Sequence, residues 1–180
     1  MDKYTIGIDF GTDSVRAIVV DVKTGHVISE CVASYPRWAK GLYRHPDKNI
    51  FRQHPLDYLE AMTQCVRGAL AALSADSRRQ IVGIGVDTTG STPVAVDQNG
   101  VPLALLEEFS ECEDAMFYLW KDHSAQEEAD AINAAFSSAA VDYRKYQGTY
   151  SAEWYWAKIL HAVKSRPILR ARAYTWVEHC

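Results

Sequence analysis

The stretch IGIDFGTDSVRAIVVD, residues 6–21, sets two alternating apolar runs on either side of a short polar turn. A hairpin needs only a turn pair between its strands, and a plain β-hairpin accounts for the alternation. The tip carries more than that: Asp9, Gly11, Thr12, Asp13 and Ser14. Phosphate binding requires backbone N–H groups facing a concavity, small residues that permit the approach, and hydroxyl donors. Gly11 lets the backbone come close, and Thr12 and Ser14 add hydroxyls. Asp9 has the chemistry to hold a magnesium ion, directly or through water. Arg16 lies two residues past Ser14, so both side chains leave the same strand face and the guanidinium can neutralise a phosphate. The pattern GxxxxGK[ST] does not occur, so this is no P-loop.

The rest of the composition is that of a globular domain. The chain has 180 residues, 48% hydrophobic and 23% charged, with a net charge of −4. That balance gives a sizeable core and argues against nucleic-acid or anionic-membrane partners, which need clustered basic surface. Residues 1–3 lead straight into a strand-like run with no apolar h-region, so no signal peptide is expected. No apolar run approaches the ~20 residues that cross a bilayer. Cys31, Cys65, Cys112 and Cys180 lie far apart without a CxxC, as expected of free thiols in a reducing cytoplasm. The chain stops inside the apolar run ARAYTWVEHC, as expected of a truncated chain or an isolated domain.

Working outward, residues 26–35 give a third strand after the Thr24–Gly25 turn, completing a meander. Residues 38–53 read as an ordered loop. Pro55 opens a helix in which Leu59, Met62, Val66, Leu70 and Leu73 recur at helical spacing, with Gly68 marking a close helix–sheet contact. IVGIGV, residues 81–86, reads as a buried strand. Asn99–Gly100 signals a turn after a strand over residues 93–96. Ser124 and Glu127 form a capping box ahead of a helix to about Ala135. A last helix over residues 152–163 is expected to turn Trp156, Ile159, Leu160 and Val163 inward. The segments IGIDFGTDSVRAIVVDVKTGHV and IGVDTTGSTPVAVDQNGVPL share one plan, each ending a strand on a carboxylate, Asp9 and Asp87.

These residues also carry a resemblance. The run Asp-Phe-Gly-Thr-Asp-Ser between two strands is similar to the first phosphate segment of the sugar-kinase, heat-shock-chaperone and actin superfamily. Six segments in order, GIDFGTDSVRAIVVD, YPRWAKG, FRQHPLDYLEAM, VGIGVDTTGSTPVAVD, AMFYLWKDHSAQEEA and YSAEWYWAKILH, resemble the FGGY carbohydrate kinases, within them the branch acting on L-ribulose. The resemblance implies an α/β, RNase-H-like domain over residues 1–180. Its mixed sheet would open with a three-strand antiparallel meander flanked by helices, and it would be the sugar-binding half of a two-domain enzyme. The implied reaction transfers the ATP γ-phosphoryl group to the 5-hydroxyl of L-ribulose in arabinose breakdown, in the cytoplasm. By the same resemblance Gly11, Thr12, Asp13, Ser14 and Arg16 bind the ATP phosphates and Asp9 the Mg²⁺. Asp87, Thr89, Gly90, Ser91, Trp120, Lys121 and Asp122 line the sugar site. Gln53 falls in a segment similar to a Glu-Gln-x-Pro stretch of the family. The general base, the adenosine pocket and the second phosphate segment would belong to a C-terminal domain outside these residues, so this chain alone is expected to be inactive. A homodimer is left open.

Plainer accounts stand beside these. Asp87 can be a turn-forming acid bonding its own backbone. Trp120 can be core, and Lys121–Asp122 a pair ahead of a helix cap. Glu153, in the first turn of its helix, reads as structural. RWAKGLYRH interleaves basic and aromatic residues as single-strand binders do, but the chain is acidic. The rival functions are a kinase for D-ribulose or xylulose and a non-catalytic nucleotide switch.

Overall fold

The computed structural model describes residues 2–138 and 143–179. In chain order the strands are β1 (Tyr4–Phe10), β2 (Ser14–Asp21), β3 (Val27–Ser34), β4 (Arg44–His45), β5 (Ile50–Gln53), β6 (Ile81–Thr88), β7 (Val94–Val96), β8 (Phe117–Tyr118) and β9 (Thr175–Val177). The α-helices are α1 (Pro36–Ala39), α2 (Pro55–Ala71), α3 (Ala75–Arg79), α4 (Gln126–Ser138), α5 (Arg144–Gln147), α6 (Tyr155–Ser165) and α7 (Pro167–Arg172). They divide into two compact units, residues 1–42 with 56–89 and residues 43–55 with 90–179.

The first unit is built on a sheet of order β3-β2-β1-β6, in which β1 and β2 pair antiparallel, as do β2 and β3, while β6 runs parallel to β1. This is the expected mixed sheet opening with a meander. Strict alternation sends Val15, Ala17 and Val19 of β2 to one face, where they are fully buried. Helix α2 covers that face, burying Tyr58, Ala61, Cys65 and Ala69. The approach is close at Gly68, where a Cβ would lie 2.4 Å from Cys31 Sγ, so the glycine is a packing requirement. One expectation fails. Strand β6 is not buried: Val82, Ile84 and Val86 are 59%, 64% and 62% exposed. A continuous apolar run fits an edge strand as well as a central one, and among the described residues β6 pairs with β1 alone.

The second unit holds two small antiparallel sheets, β4-β5-β8 and β7-β9. Residues 38–53, expected as loop, thus contain the end of α1 and two short strands, because β5 finds a partner in β8. One core cluster gathers Leu103, Phe109, Met116, Tyr118, Ala162 and Leu169. A second joins α4 and α6 through Ala125, Ala129, Tyr150, Ala152 and Ala157. The Asn99–Gly100 turn is present, with Gly100 at φ +76° and Asp97 accepting the N–H groups of Asn99 and Val101. The Val101 bond, first among several, lowers the Asp97 pKa. Helix α6 begins at Tyr155, and its buried positions are Ala157, Lys158 and Ala162, whereas Trp156 is 63% exposed. The inward stripe runs through the small residues Ala157 and Ala162 and through Lys158, with Ile159, Leu160 and Val163 half-buried beside it. The capping box also fails to form: α4 begins at Gln126, one residue too late for Ser124 to cap it, and the Ser124 N–H and hydroxyl donate to Asp122 instead. Among the described residues no helix is long and apolar enough to cross a membrane.

Candidate functional site

In the first unit the register decides the geometry. Asp9 of β1 lies opposite Arg16 of antiparallel β2 and opposite Asp87 of parallel β6. Directly paired residues share a face, so the sheet presents Arg16, Asp9 and Asp87 in one row, on neighbouring strands about 4.8 Å apart. All three are exposed. With Gly7, Ile18 and Gly85 they line an open groove of about 430 Å³ on the face opposite α2. Glycines at positions 7 and 85 keep its floor low. Two carboxylates at this separation suit a hard divalent cation that keeps part of its water, and the flanking guanidinium suits a phosphate. Asp87, assigned from sequence to the sugar, therefore stands beside Asp9. One of its oxygens accepts the N–H of Thr88 at 3.0 Å, as the plainer reading expected, and the other is free to face the groove.

The tip of residues 11–14 is tightly closed: the Gly11 N–H donates to the Ser14 carbonyl at 3.0 Å. It is braced by residues that sequence reasoning left without a role. Tyr35 donates its hydroxyl to the Gly11 carbonyl at 3.0 Å and its N–H to the Asp13 carbonyl at 3.1 Å. The Trp38 indole N–H donates to the Asp13 carboxylate at 2.5 Å. Helix α1, which carries Trp38, is in turn held by buried Asp57 of α2, which accepts the N–H groups of Arg37 and Trp38, each at 3.0 Å. Burial, and then the charges of Asp9, Asp57 and Asp13, push the Tyr35 phenol well above its ordinary pKa, so it stays a donor. Asp13 is thus committed to bracing the loop, while Thr12 and Ser14 are half-buried at its surface. The segment YPRWAKG is the signal for this brace, since an aromatic donor beside a helix start has no reason in an ordinary loop.

The second unit contains Gly90, Ser91, Trp120, Lys121 and Asp122, and Thr89 closes the first. Gly90 is exposed, with open space where a Cβ would be. Ser91 adopts φ +51°, a left-handed conformation uncommon for serine. Trp120 is 43% exposed, so it is not core. The Lys121 ammonium sits 4.8 Å over the Phe51 ring. Asp122 differs from its expectation: it is fully buried and accepts from the Phe51 N–H, Arg52, and the N–H and hydroxyl of Ser124. Four donors occupy its lone pairs, so it joins the segment after Trp120 and Lys121 to β5 through Phe51 and Arg52. Arg52, equally buried, stacks 3.4 Å over the Tyr118 ring, and Gln53 beside it is buried too. Lys158 of α6, which no sequence motif singled out, donates to the carbonyls of Ser91, Leu119 and Trp120.

Comparison with known proteins gives the family. The model of the FGGY family of carbohydrate kinases, N-terminal domain, matches residues 4–165. The chain is 48% identical over 180 residues to a ribulokinase of Vibrio parahaemolyticus, covering 99% of this chain and 32% of that protein. It is 37% identical to a ribulokinase of Halalkalibacterium halodurans, covering 87% and 29%. The chain thus spans about a third of the length of these relatives. Among solved structures it resembles a xylulose kinase from Bifidobacterium adolescentis, with a TM-score of 0.73 at 16% identity, covering 98% of this chain and 32% of the other. A gluconate kinase from Lactobacillus acidophilus gives 0.72 at 17% identity, with 98% and 31% covered. The first hairpin, the meander sheet and this family match over residues 4–165 agree, and the chain belongs to the FGGY family of carbohydrate kinases as its N-terminal domain.

Proposed function

We propose that this chain is the sugar-side part of an ATP-dependent ribulokinase, which moves the ATP γ-phosphoryl group to the 5-hydroxyl of L-ribulose. The observation that carries the phosphoryl-transfer reading is the row Arg16–Asp9–Asp87 beside the Gly11–Ser14 tip. The relatives that share 48% and 37% of their residues with this chain, both ribulokinases, support L-ribulose as substrate. A cytoplasmic setting goes with such an enzyme, as do free thiols at Cys31, Cys65 and Cys112.

In this reading Asp9 and Asp87 hold a magnesium ion, which would supply charge neutralisation to the nucleotide's oxygens. The Thr12 and Ser14 hydroxyls face the phosphates, the closed Gly11 turn lets them approach, and Arg16 offsets their charge. Gly90 admits the sugar backbone closely, Ser91 offers a hydroxyl, and Trp120 gives an apolar ring to the sugar's C–H face. Phosphoryl transfer relies on positioning and electrostatics, and the general base and adenosine pocket belong to a C-terminal domain outside this chain. The chain by itself then binds sugar but turns over almost nothing.

The test is a pentulose panel with the full-length protein that carries this chain. L-Ribulose should be phosphorylated with the highest kcat/KM. A preference of about tenfold for D-xylulose, equivalent to about 1.4 kcal/mol, overturns the substrate assignment.

A further inference from the structure

Lys158 sits one turn into α6 and is fully buried, although lysine is almost never buried without partners. Its ammonium donates to the Ser91 carbonyl at 2.5 Å, the Leu119 carbonyl at 2.9 Å and the Trp120 carbonyl at 3.4 Å. Three acceptors match the three protons of an ammonium; a neutral amine has only two to give. The acceptors come from two segments some thirty residues apart, one leading from Gly90 and one ending in Trp120.

The other end of the Ser91–Thr92 peptide is held as well. The Thr92 N–H donates to a Glu178 carboxylate oxygen at 2.8 Å, just past β9. The peptide's carbonyl therefore meets a buried cation and its N–H an anion. Such a clamp fixes the rotation about Ser91 and explains how a serine keeps φ +51°. Thr92 adds a third constraint by donating its hydroxyl to the Gly90 carbonyl at 3.0 Å.

We propose that Lys158, with Glu178 as its counter-charge, is the positioning residue that sets the sugar loop, locking the Ser91–Thr92 peptide and tying it to the Trp120 segment. The inference rests on the reading that Gly90, Ser91 and Trp120 face the sugar. The charged groups around the amine are Glu178, Arg52 and Glu153. Burial, opposed by Glu178 and Glu153 and reinforced by Arg52, leaves the amine lowered to about 7. The clamp is then complete below neutrality and loses one donor above it.

Calorimetric titration of the chain with L-ribulose, from about pH 6 to about pH 9, tests this. Wild type should bind tightest at the acid end and weaken several-fold as pH passes about 7. Lys158→Met should bind about tenfold more weakly, a loss of about 1.4 kcal/mol, with no pH dependence over that range. Glu178→Gln keeps an acceptor for Thr92 but removes the charge that raises the amine, so its midpoint should move to lower pH. A residue with a merely structural role would not move that midpoint. If Lys158→Met fails to fold, the wild-type and Glu178→Gln profiles decide alone. A flat wild-type profile with sugar bound, or a Glu178→Gln midpoint that stays put, overturns the clamp and leaves the kinase reading standing. Absence of binding to any pentulose overturns the sugar-site reading and the clamp with it.

Discussion

Trp38 reaches from a one-turn helix to Asp13, its indole N–H 2.5 Å from the carboxylate, and so ties the tip of the first hairpin to the body of the first unit. Its own backbone N–H is held by buried Asp57. Trp38→Phe keeps the ring and removes the donor. It should cost about 1.5–3 kcal/mol in denaturant unfolding, the range for a lost bond to a charged group. In the full-length enzyme the KM for ATP should rise, with the KM for sugar unchanged.

The row Arg16–Asp9–Asp87 makes a graded prediction. Asp9→Asn should lower kcat of the full-length enzyme by about 10²–10³, the scale seen when one preorganised electrostatic group is removed. Asp87→Asn should raise the Mg²⁺ concentration needed for half-maximal rate more than it lowers the rate at saturation. A purely turn-forming Asp87 would leave that magnesium titration where it was.

Gly68→Ala sets two effects against each other. Replacing glycine in a helix interior normally gains about 1 kcal/mol. Here the new Cβ would meet Cys31 Sγ at 2.4 Å and Cys31 Cβ at 3.1 Å. Overpacking costs about 1–3 kcal/mol, so the net change should be destabilising. Cys31→Ala should restore part of the loss, and a double-mutant cycle by urea unfolding measures the coupling.

Lys158 also makes stability depend on pH. Its folded pKa, about 7, lies below the 10.5 of an ordinary lysine, so between those values the unfolded chain binds the extra proton. Stability should therefore rise with pH over that window, relative to Lys158→Met, and the difference should vanish below about pH 7 in slope, though not in size. Thermal melts of the two proteins across the window check the sign.

Asp122 and Arg52 form a buried ion pair, and breaking such a pair leaves an uncompensated charge. Asp122→Ala should cost about 3–5 kcal/mol by denaturant unfolding.

The parts legible in the sequence are those where one local period has one tertiary answer. Alternation through residues 4–34 specified three strands, because one face must be covered and the other not. Helical spacing with Pro55 at the start specified α2, and Gly68 announced the close approach to Cys31. The run at residues 81–86 was misread as buried because apolar composition does not distinguish an edge from a centre. The capping box was locally sound, but Ser124 was claimed by the buried charge of Asp122, a residue set in place by Arg52 from seventy residues away. Lys158 had no signal: one lysine on an amphipathic helix normally faces water, and only the three carbonyls brought to it by other segments explain its burial. Asp9 and Asp87 are both legible as strand-end acids, but their adjacency depends on β6 joining β1 in parallel, which no short-range pattern encodes.

Strand β6 leaves one practical consequence. Among the described residues no strand pairs with its outer rim, beside the exposed Val82, Ile84 and Val86, and such a rim is a template onto which another extended chain can zip. Concentrated solutions of the isolated chain should therefore self-associate through that rim, and a lysine at Ile84 should keep them clear.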